Sequence, residues 1–536
     1  MSVIGRAGAP AFLRPVRPAL LAMAPSAAPL LVCAGIALLA GLWGIDRGSM
    51  WQDEATTFAV ASRPLPDLWR TLGNVDAVHG VHYLLLHPLL SLADGVVPAE
   101  VVIRVPSALA TAVAAAGVAA LGRRLVSAPA GVYAGAVYAL SPVVSYYAQE
   151  GRSYALVTAA AVLATHLLVR ALDEPRRTGR WVWYAVAVAA GCLLNLFAAL
   201  ALLAHAVTLL AGRARPGVMA RWTAACAAGL LPVAPVAWVS FGQRGQISWL
   251  EPPGWATAGE LVTRFAGTGV PLALAAVLAV AALTLRRPEG APVSLAAVAV
   301  PLTILPPAVL LTVSQIEPFY QDRYVLYAVA GQALLTGAGI TAAVRRIPAG
   351  MWRGLASCGL LALLVVPTLP AHAEVRRAGS RPDDPAAAAR LVGAGARPGD
   401  AVLFLPSIRR LVAEAYPQSF RQVRDVALRV SGAASGTLAG RELPDERIAA
   451  ALGPAPRVWV ISRSHPRDSD LSSPRDTVKR TLLRDGYNRA WVARVPGYAV
   501  RLYVRKGTAQ SQPRSSAISA ASARVPAPVL PMAADR

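Results

Sequence analysis

The chain has 536 residues, 55% of them hydrophobic and only 15% charged, with a formal net charge of +23. Soluble globular proteins carry about 25% charged residues, so this composition excludes an ordinary soluble domain and points to helices solvated by lipid. The positive charge falls as arginine clusters between apolar runs, with no aromatic-basic stripe; that is how cytoplasmic membrane anchors are placed, and it argues against a nucleic-acid partner.

Arg6, Arg14 and Arg17 precede an apolar run at 27–45 that is long enough to span and lacks a small-residue cleavage site. Residues 1–26 therefore read as a cytoplasmic arm and 27–45 as a retained first helix. A long first extracytoplasmic loop follows, 46–102. Its apolar segment 82–93 is shorter than the ~20 residues a crossing needs, so it is expected at the interface. Further spans are predicted at 103–121, 130–146, 154–172, 181–195, 197–211, 222–241, 261–285, 293–313, 324–344 and 354–370, about eleven crossings with the first. Alternating sides from a cytoplasmic N-terminus puts Arg123/Arg124, Arg176/Arg177/Arg180, Arg213/Arg215/Arg221, Arg286/Arg287 and Arg345/Arg346 all inside. Residues 27–371 then form the membrane domain, and everything beyond lies outside.

From 372 the composition changes. A helix is predicted at 383–394, buried strands at 401–405 (AVLFL) and 457–462 (RVWVIS), and a hairpin of 490–495 with 499–504 about Pro496-Gly497. The fold class is mainly α: a polytopic transmembrane helix bundle with a small C-terminal extracytoplasmic α/β domain, 372–506. The Ser-, Ala- and Pro-rich remainder, 507–536, lacks periodicity and is expected to be disordered. Cys33, Cys192, Cys226 and Cys358 all lie in apolar runs, so no disulfide framework is implied in the outer region.

Chemistry-bearing residues collect in the outer loops. The first opens with Trp51-Gln52-Asp53-Glu54 and later carries Asp76, His79, His82 and Tyr83 in and before the run HGVHYLLLH. An outer turn reads YYAQEGRSY, with Gln149, Glu150, Arg152 and Tyr154. Another reads SQIEPFYQDRY, with Glu317, Asp322, Arg323 and Tyr324, and the loop 242–260 adds Arg244, Gln246, Trp249 and Glu251. Acidic pairs beside a span are rare without a role. The plainer reading is that Asp53 and Glu54 cap a helix starting at Ala55.

In order and loop placement these motifs, with Arg104-Val105-Pro106-Ser107-Ala108 opening the second span, resemble the lipid-carrier-dependent glycosyltransferases of the C superfamily. They are most similar to the bacterial branch of protein mannosyltransferases and aminoarabinose transferases. The resemblance covers roughly 35–344. It implies a polyprenyl-phosphate sugar as donor and, as acceptor, an envelope protein, glycan or lipid. It places Asp53 at the position of the catalytic base and Glu54 at the second acidic position, which holds the acceptor or the site geometry. Arg152 and Arg323 match basic positions facing the carrier phosphate. His79, His82, Tyr83, Gln149, Glu150, Tyr154, Asp322 and Tyr324 fall where substrate is bound, although Gly80-Val81 replaces the family's usual His-Pro pairing after His79.

The chemistry agrees. A lipid phosphate leaves readily and needs a cation rather than a general acid, while the acceptor hydroxyl needs a carboxylate to take its proton. One base facing an anionic leaving group means single displacement with inversion. The motifs establish no cofactor; a divalent metal ion could be held by Asp53, Glu54, Glu150 and the histidines. Two other readings compete: a transporter or flippase of a lipid-linked precursor, kept open by Pro232, Pro235, Pro306, Pro307, His166 and His205 in the spans, and a non-catalytic envelope scaffold.

Overall fold

The computed structural model describes residues 27–377 and 379–507; the arm with Arg6, Arg14 and Arg17 and the tail 508–536 lie outside the described residues. The apolar runs fold as helices because lipid offers their backbones no partner, so each N–H must bond within its own segment. Among the described residues, five helices are long and apolar enough to cross a membrane: Ala99–Leu125, Tyr154–Asp173, Pro216–Gly242, Leu295–Val313 and Met351–Val375. The pair Trp255–Ala266 and Val270–Ala282 makes a sixth candidate, bent by 84°. Shorter apolar helices include Ala28–Leu42, Thr178–Leu194, Leu196–Ala211 and Ala328–Val344.

The bundle core is built on Ala99–Leu125, which packs against Ala28–Leu42, Ala128–Ala139 and Tyr154–Asp173. Small residues bring backbones together: a Cβ on Gly337 would lie 2.2 Å from the backbone nitrogen of Ala134, and one on Gly339 2.0 Å from the carbonyl oxygen of Leu278. A second core surrounds Tyr184. There both nitrogens of His205 are engaged, by Thr165 Oγ1 at 3.0 Å and Tyr184 Oη at 2.9 Å, so this span histidine is a packing residue.

Two predicted spans are interrupted. The run at 130–146 is two helices, Ala128–Ala139 and Pro142–Ala148, because Pro142 cannot donate to the preceding turn. The run at 261–285 bends where Gly267 and Gly269 take positive φ values of 84° and 59°. The first loop is helical: Gln52–Ala61, Leu65–Asn74 and Gly80–Ala93.

The C-terminal domain begins with the helix Pro385–Gly395, N-capped by Asp384, whose carboxylate accepts from Ala387 N at 2.8 Å. Its strands are β1 (Asp400–Leu405), β2 (Val423–Asp425), β3 (Leu428–Val430), β4 (Arg441–Glu442), β5 (Arg457–Arg463), β6 (Tyr487–Val495) and β7 (Tyr498–Arg505). The main sheet runs β2-β1-β5-β7-β6, parallel through β2, β1 and β5 and antiparallel at β7 and β6. β3 and β4 pair separately. The expected hairpin is present, with Val495 opposite Tyr498 and Gly497 at φ 73°. β1 and β5, buried almost throughout, carry the continuous apolar runs of central parallel strands.

The domain is docked on the first loop. Ser49 Oγ donates to Asp384 at 2.8 Å, Met50 N to Tyr416 Oη at 3.2 Å, and Arg63 Nη1 to the Thr437 carbonyl at 2.9 Å.

Candidate active site

The site assembles around the N-terminal turn of Gln52–Ala61. Trp51 is the N-cap and its N–H donates back to Glu54 at 3.4 Å. The helix thus starts three residues earlier than a cap at Asp53 and Glu54 would have it. Helical periodicity then sends the two neighbouring acids to different environments. Glu54 is fully buried. Its Oε1 accepts from Arg104 Nε at 2.8 Å and Gly151 N at 2.7 Å, and its Oε2 from Arg104 Nη2 at 2.7 Å. Burial alone would raise this carboxyl, but the Arg104 guanidinium outweighs it and the pKa is lowered. Arg104 spends its other donors on the carbonyls of Ile45, Gly48 and Ser49. The pair therefore pins the first span's exit, the start of the loop helix and the Gly151 turn to one another.

Asp53, one residue earlier, is 30% exposed and 3.7 Å from Arg323 Nη2. Arg323 lies 5.7 Å from the ring centres of both Trp51 and Tyr154. One turn on, Thr57 Oγ1 accepts from Arg152 Nη1 at 3.0 Å, and Arg152 Nη2 donates to His79 Nε2 at 2.6 Å. Asp76 faces His79 at 3.9 Å and accepts the Tyr83 hydroxyl; burial raises its pKa. The buried Nε of Arg152 and the buried Nε of Arg323 have no hydrogen-bond partner. Tyr324 stacks on Phe197 at 4.8 Å and lies 6.1 Å from Tyr154, giving the site an aromatic wall.

Two further clusters adjoin it. Asp322 pairs with Arg264 Nε at 2.7 Å and accepts from Tyr147 Oη at 3.4 Å. Glu150 is buried with both carboxylate oxygens unpartnered, 4.0 Å from Arg381 Nη1. Burial pushes its carboxyl up to about 7, against the pull of Arg381 and Arg323. Arg381 itself donates to the Gln149 carbonyl at 2.5 Å. The linker to the C-terminal domain also supplies Asp383, which accepts from Gln52 N at 2.7 Å; burial pushes it to about 7 despite Arg409 and that N–H, and the Asp53 charge adds to the shift.

Asp53, Arg152, Arg323, His79, Tyr83, Tyr154 and Tyr324 are thus brought together. Gln149 and His82 are engaged elsewhere: Gln149 Nε2 donates to the Gly41 and Trp43 carbonyls at 3.0 and 2.7 Å, and His82 Nε2 meets the Gly151 carbonyl at 3.2 Å. Sequence reasoning missed Arg264, Arg381 and Asp383. Arg264 and Arg381 are single arginines near helix ends, which usually snorkel, and only the fold turns them inward. Arg244 stays at the surface over Phe241. Among the described residues no three His, Cys, Asp or Glu side chains are grouped to hold a metal ion, and Glu54 is committed to Arg104, so the donor set suggested by the sequence does not fit one.

Residues 84–239 match the dolichyl-phosphate-mannose-protein mannosyltransferase family. No curated protein matches the chain in sequence. Among solved structures, ArnT from Cupriavidus metallidurans in the apo state aligns with TM-score 0.55 at 14% identity, over 88% of this chain and 97% of that one. The same protein bound to undecaprenyl phosphate aligns with TM-score 0.55 at 13% identity, over 90% and 99%. Arabinofuranosyltransferase AftD from Mycobacteria gives 0.49 at 18% identity, over 89% of this chain and 41% of that one. The chain thus shares the fold of ArnT, and part of it, residues 84–239, is similar to the mannosyltransferase family.

Proposed function

We propose that the protein transfers a sugar, mannose or another hexose, from a polyprenyl-phosphate donor to a cell-envelope acceptor by single displacement with inversion. The observation that carries this reading is the pairing of the buried Arg152 with the partly buried Arg323, each with a buried, unpartnered Nε, beside the partly exposed Asp53 carboxylate. Unused donors on a fixed cation are poised for an oxyanion.

The acceptor hydroxyl oxygen attacks the anomeric carbon as the bond to the carrier phosphate breaks. Asp53 takes the hydroxyl proton, and the electron pair leaves on the phosphate oxygen, held by Arg323 and Arg152. In the resting site Arg323 faces Asp53; a donor phosphate competes for that cation and frees the carboxylate. Trp51, Tyr154 and Tyr324 offer flat apolar faces for the sugar ring, and the carrier enters sideways from lipid. Glu54 holds the geometry through Arg104 and does not touch substrate. The chain crosses the cell membrane about eleven times, with the N-terminus cytoplasmic and the site and outer domain extracytoplasmic. Support comes from the arginine-rich loops alternating with the loops that build the site. The acceptor class, protein, glycan or lipid, is set by surfaces beyond Asp53.

Purified enzyme supplied with a panel of radiolabelled polyprenyl-phosphate sugars tests the reading. Wild type is expected to give glycosylated acceptor from one of them, and Arg323→Ala to lower transfer by about 10²–10³-fold. Movement of labelled carrier between leaflets without product would favour the flippase instead.

A further inference from the structure

The outer domain holds a cleft of about 530 Å³ that the transfer chemistry does not use. Clefts of roughly 300–1,000 Å³ hold small-molecule ligands. It lies where β1 and β5 end: Ser407 follows the first, and Asp470 and Arg475 follow the second. These are neighbouring parallel strands, and ligands of open α/β sheets bind at the carboxyl ends of such strands.

The lining carries many charges, and they are unequally committed. Its acids are paired. Glu442 accepts from Arg410 Nη2 at 2.8 Å and from Lys479 Nζ at 2.8 Å. Asp476 faces the same fully buried Lys479 at 3.3 Å, and Asp470 faces Arg463 at 2.9 Å. The guanidiniums of Arg429 and Arg441 have no ion-pair or hydrogen-bond partner among the described residues, and Arg475 reaches only an exposed Asp445 at 4.0 Å. A buried ion network fixes the floor, and at the rim stand two uncommitted planar forks, Arg429 and Arg441, beside the loosely paired Arg475. No large apolar side chain lines the cleft, so a greasy ligand finds no partner there.

We infer that this cleft binds an acidic saccharide: its carboxylate or phosphate groups are gripped by Arg429, Arg441 and Arg475, and its hydroxyls face Ser407 and the Asp470 and Asp476 carboxylates. The segment that lines it at Pro406 and Ser407 runs directly into Arg409, 3.9 Å from Asp383, whose carboxylate holds Gln52 beside Asp53. A glycan seated in the cleft is thereby tied to the transfer site. Its role as an acceptor subsite rests on the proposed transfer; binding itself does not.

Titration calorimetry on the full-length protein in nanodiscs tests this with tetragalacturonate for carboxylate, mannose 6-phosphate for phosphate, and maltotetraose as neutral control. Saturable binding of one or both acidic probes is expected, and which one binds identifies the oxyanion. The double variant Arg429→Ala/Arg441→Ala should bind at least tenfold more weakly, with unchanged thermal midpoint. Arg421→Ala, exposed and outside the cleft, should bind as wild type does. Asp53→Asn should also bind normally, separating the cleft from the chemistry. Absence of binding by both acidic probes, equal binding of maltotetraose, or an equal loss in Arg421→Ala overturns the proposal.

Discussion

Asp53 and Glu54 are chemically near-identical neighbours whose surroundings drive them apart. Both are legible as an acidic pair just past the first span, and the family resemblance puts the base at Asp53, but no local pattern shows which carboxylate is free. That is decided by Arg104, fifty positions on, which reaches Glu54 only after the second span is packed. Removing one partner of such a buried pair leaves an uncompensated charge, at a cost of about 3–5 kcal/mol. Arg104→Ala should therefore lower the thermal midpoint in detergent strongly, and Glu54→Gln/Arg104→Met should recover much of it. Glu150 gives a pH signature. Its folded pKa of about 7 lies above the unfolded value of about 4.3, so the folded state binds the extra proton. The stability this confers is complete below the unfolded pKa and is lost as pH rises through about 7. Thermal midpoints of wild type should fall between pH 5 and 8; Glu150→Gln should fall less steeply. An unchanged slope would show that Glu150 is ionised throughout.

At the level of elements, long apolar runs and short β-rich runs were readable because each is a local pattern. AVLFL and RVWVIS became β1 and β5, and Pro496-Gly497 became the turn between β6 and β7. Strands β2, β3 and β4, only two or three residues long, carry no period to read. The break at Pro142 and the bend at Gly267 and Gly269 lie within runs that hydropathy alone reads as continuous. Helix Ala328–Val344 also depends on something hydropathy ignores, the absence of a side chain at Gly337 against Ala134. Gly337→Val should push these helices apart at a cost of about 1–3 kcal/mol, seen as a lower midpoint and reduced yield of folded protein. Wild-type stability in that variant would mean the helices pack less closely.

Across the whole molecule, the C-terminal domain is part of the site's frame. Arg381 and Asp383 reach the site from the linker, and Tyr416 and Arg63 fasten the domain to the first loop. These contacts join residues more than two hundred positions apart and leave no trace in local pattern, so the domain was legible and its docking was not. Arg63→Ala strips donors from the Thr437 and Leu438 carbonyls and should speed amide exchange across 431–438. It should also lower transfer while donor binding holds. An Arg447→Cys variant should react with impermeant maleimide added to intact cells; protection until lysis would place the domain on the cytoplasmic side. Most direct of all is sugar transfer from polyprenyl-phosphate donor by Asp53→Asn, which keeps the side chain's size and removes the base. Transfer should fall by about 10²–10⁴-fold with insertion and carrier-phosphate binding intact; wild-type transfer by that variant would contradict the assignment.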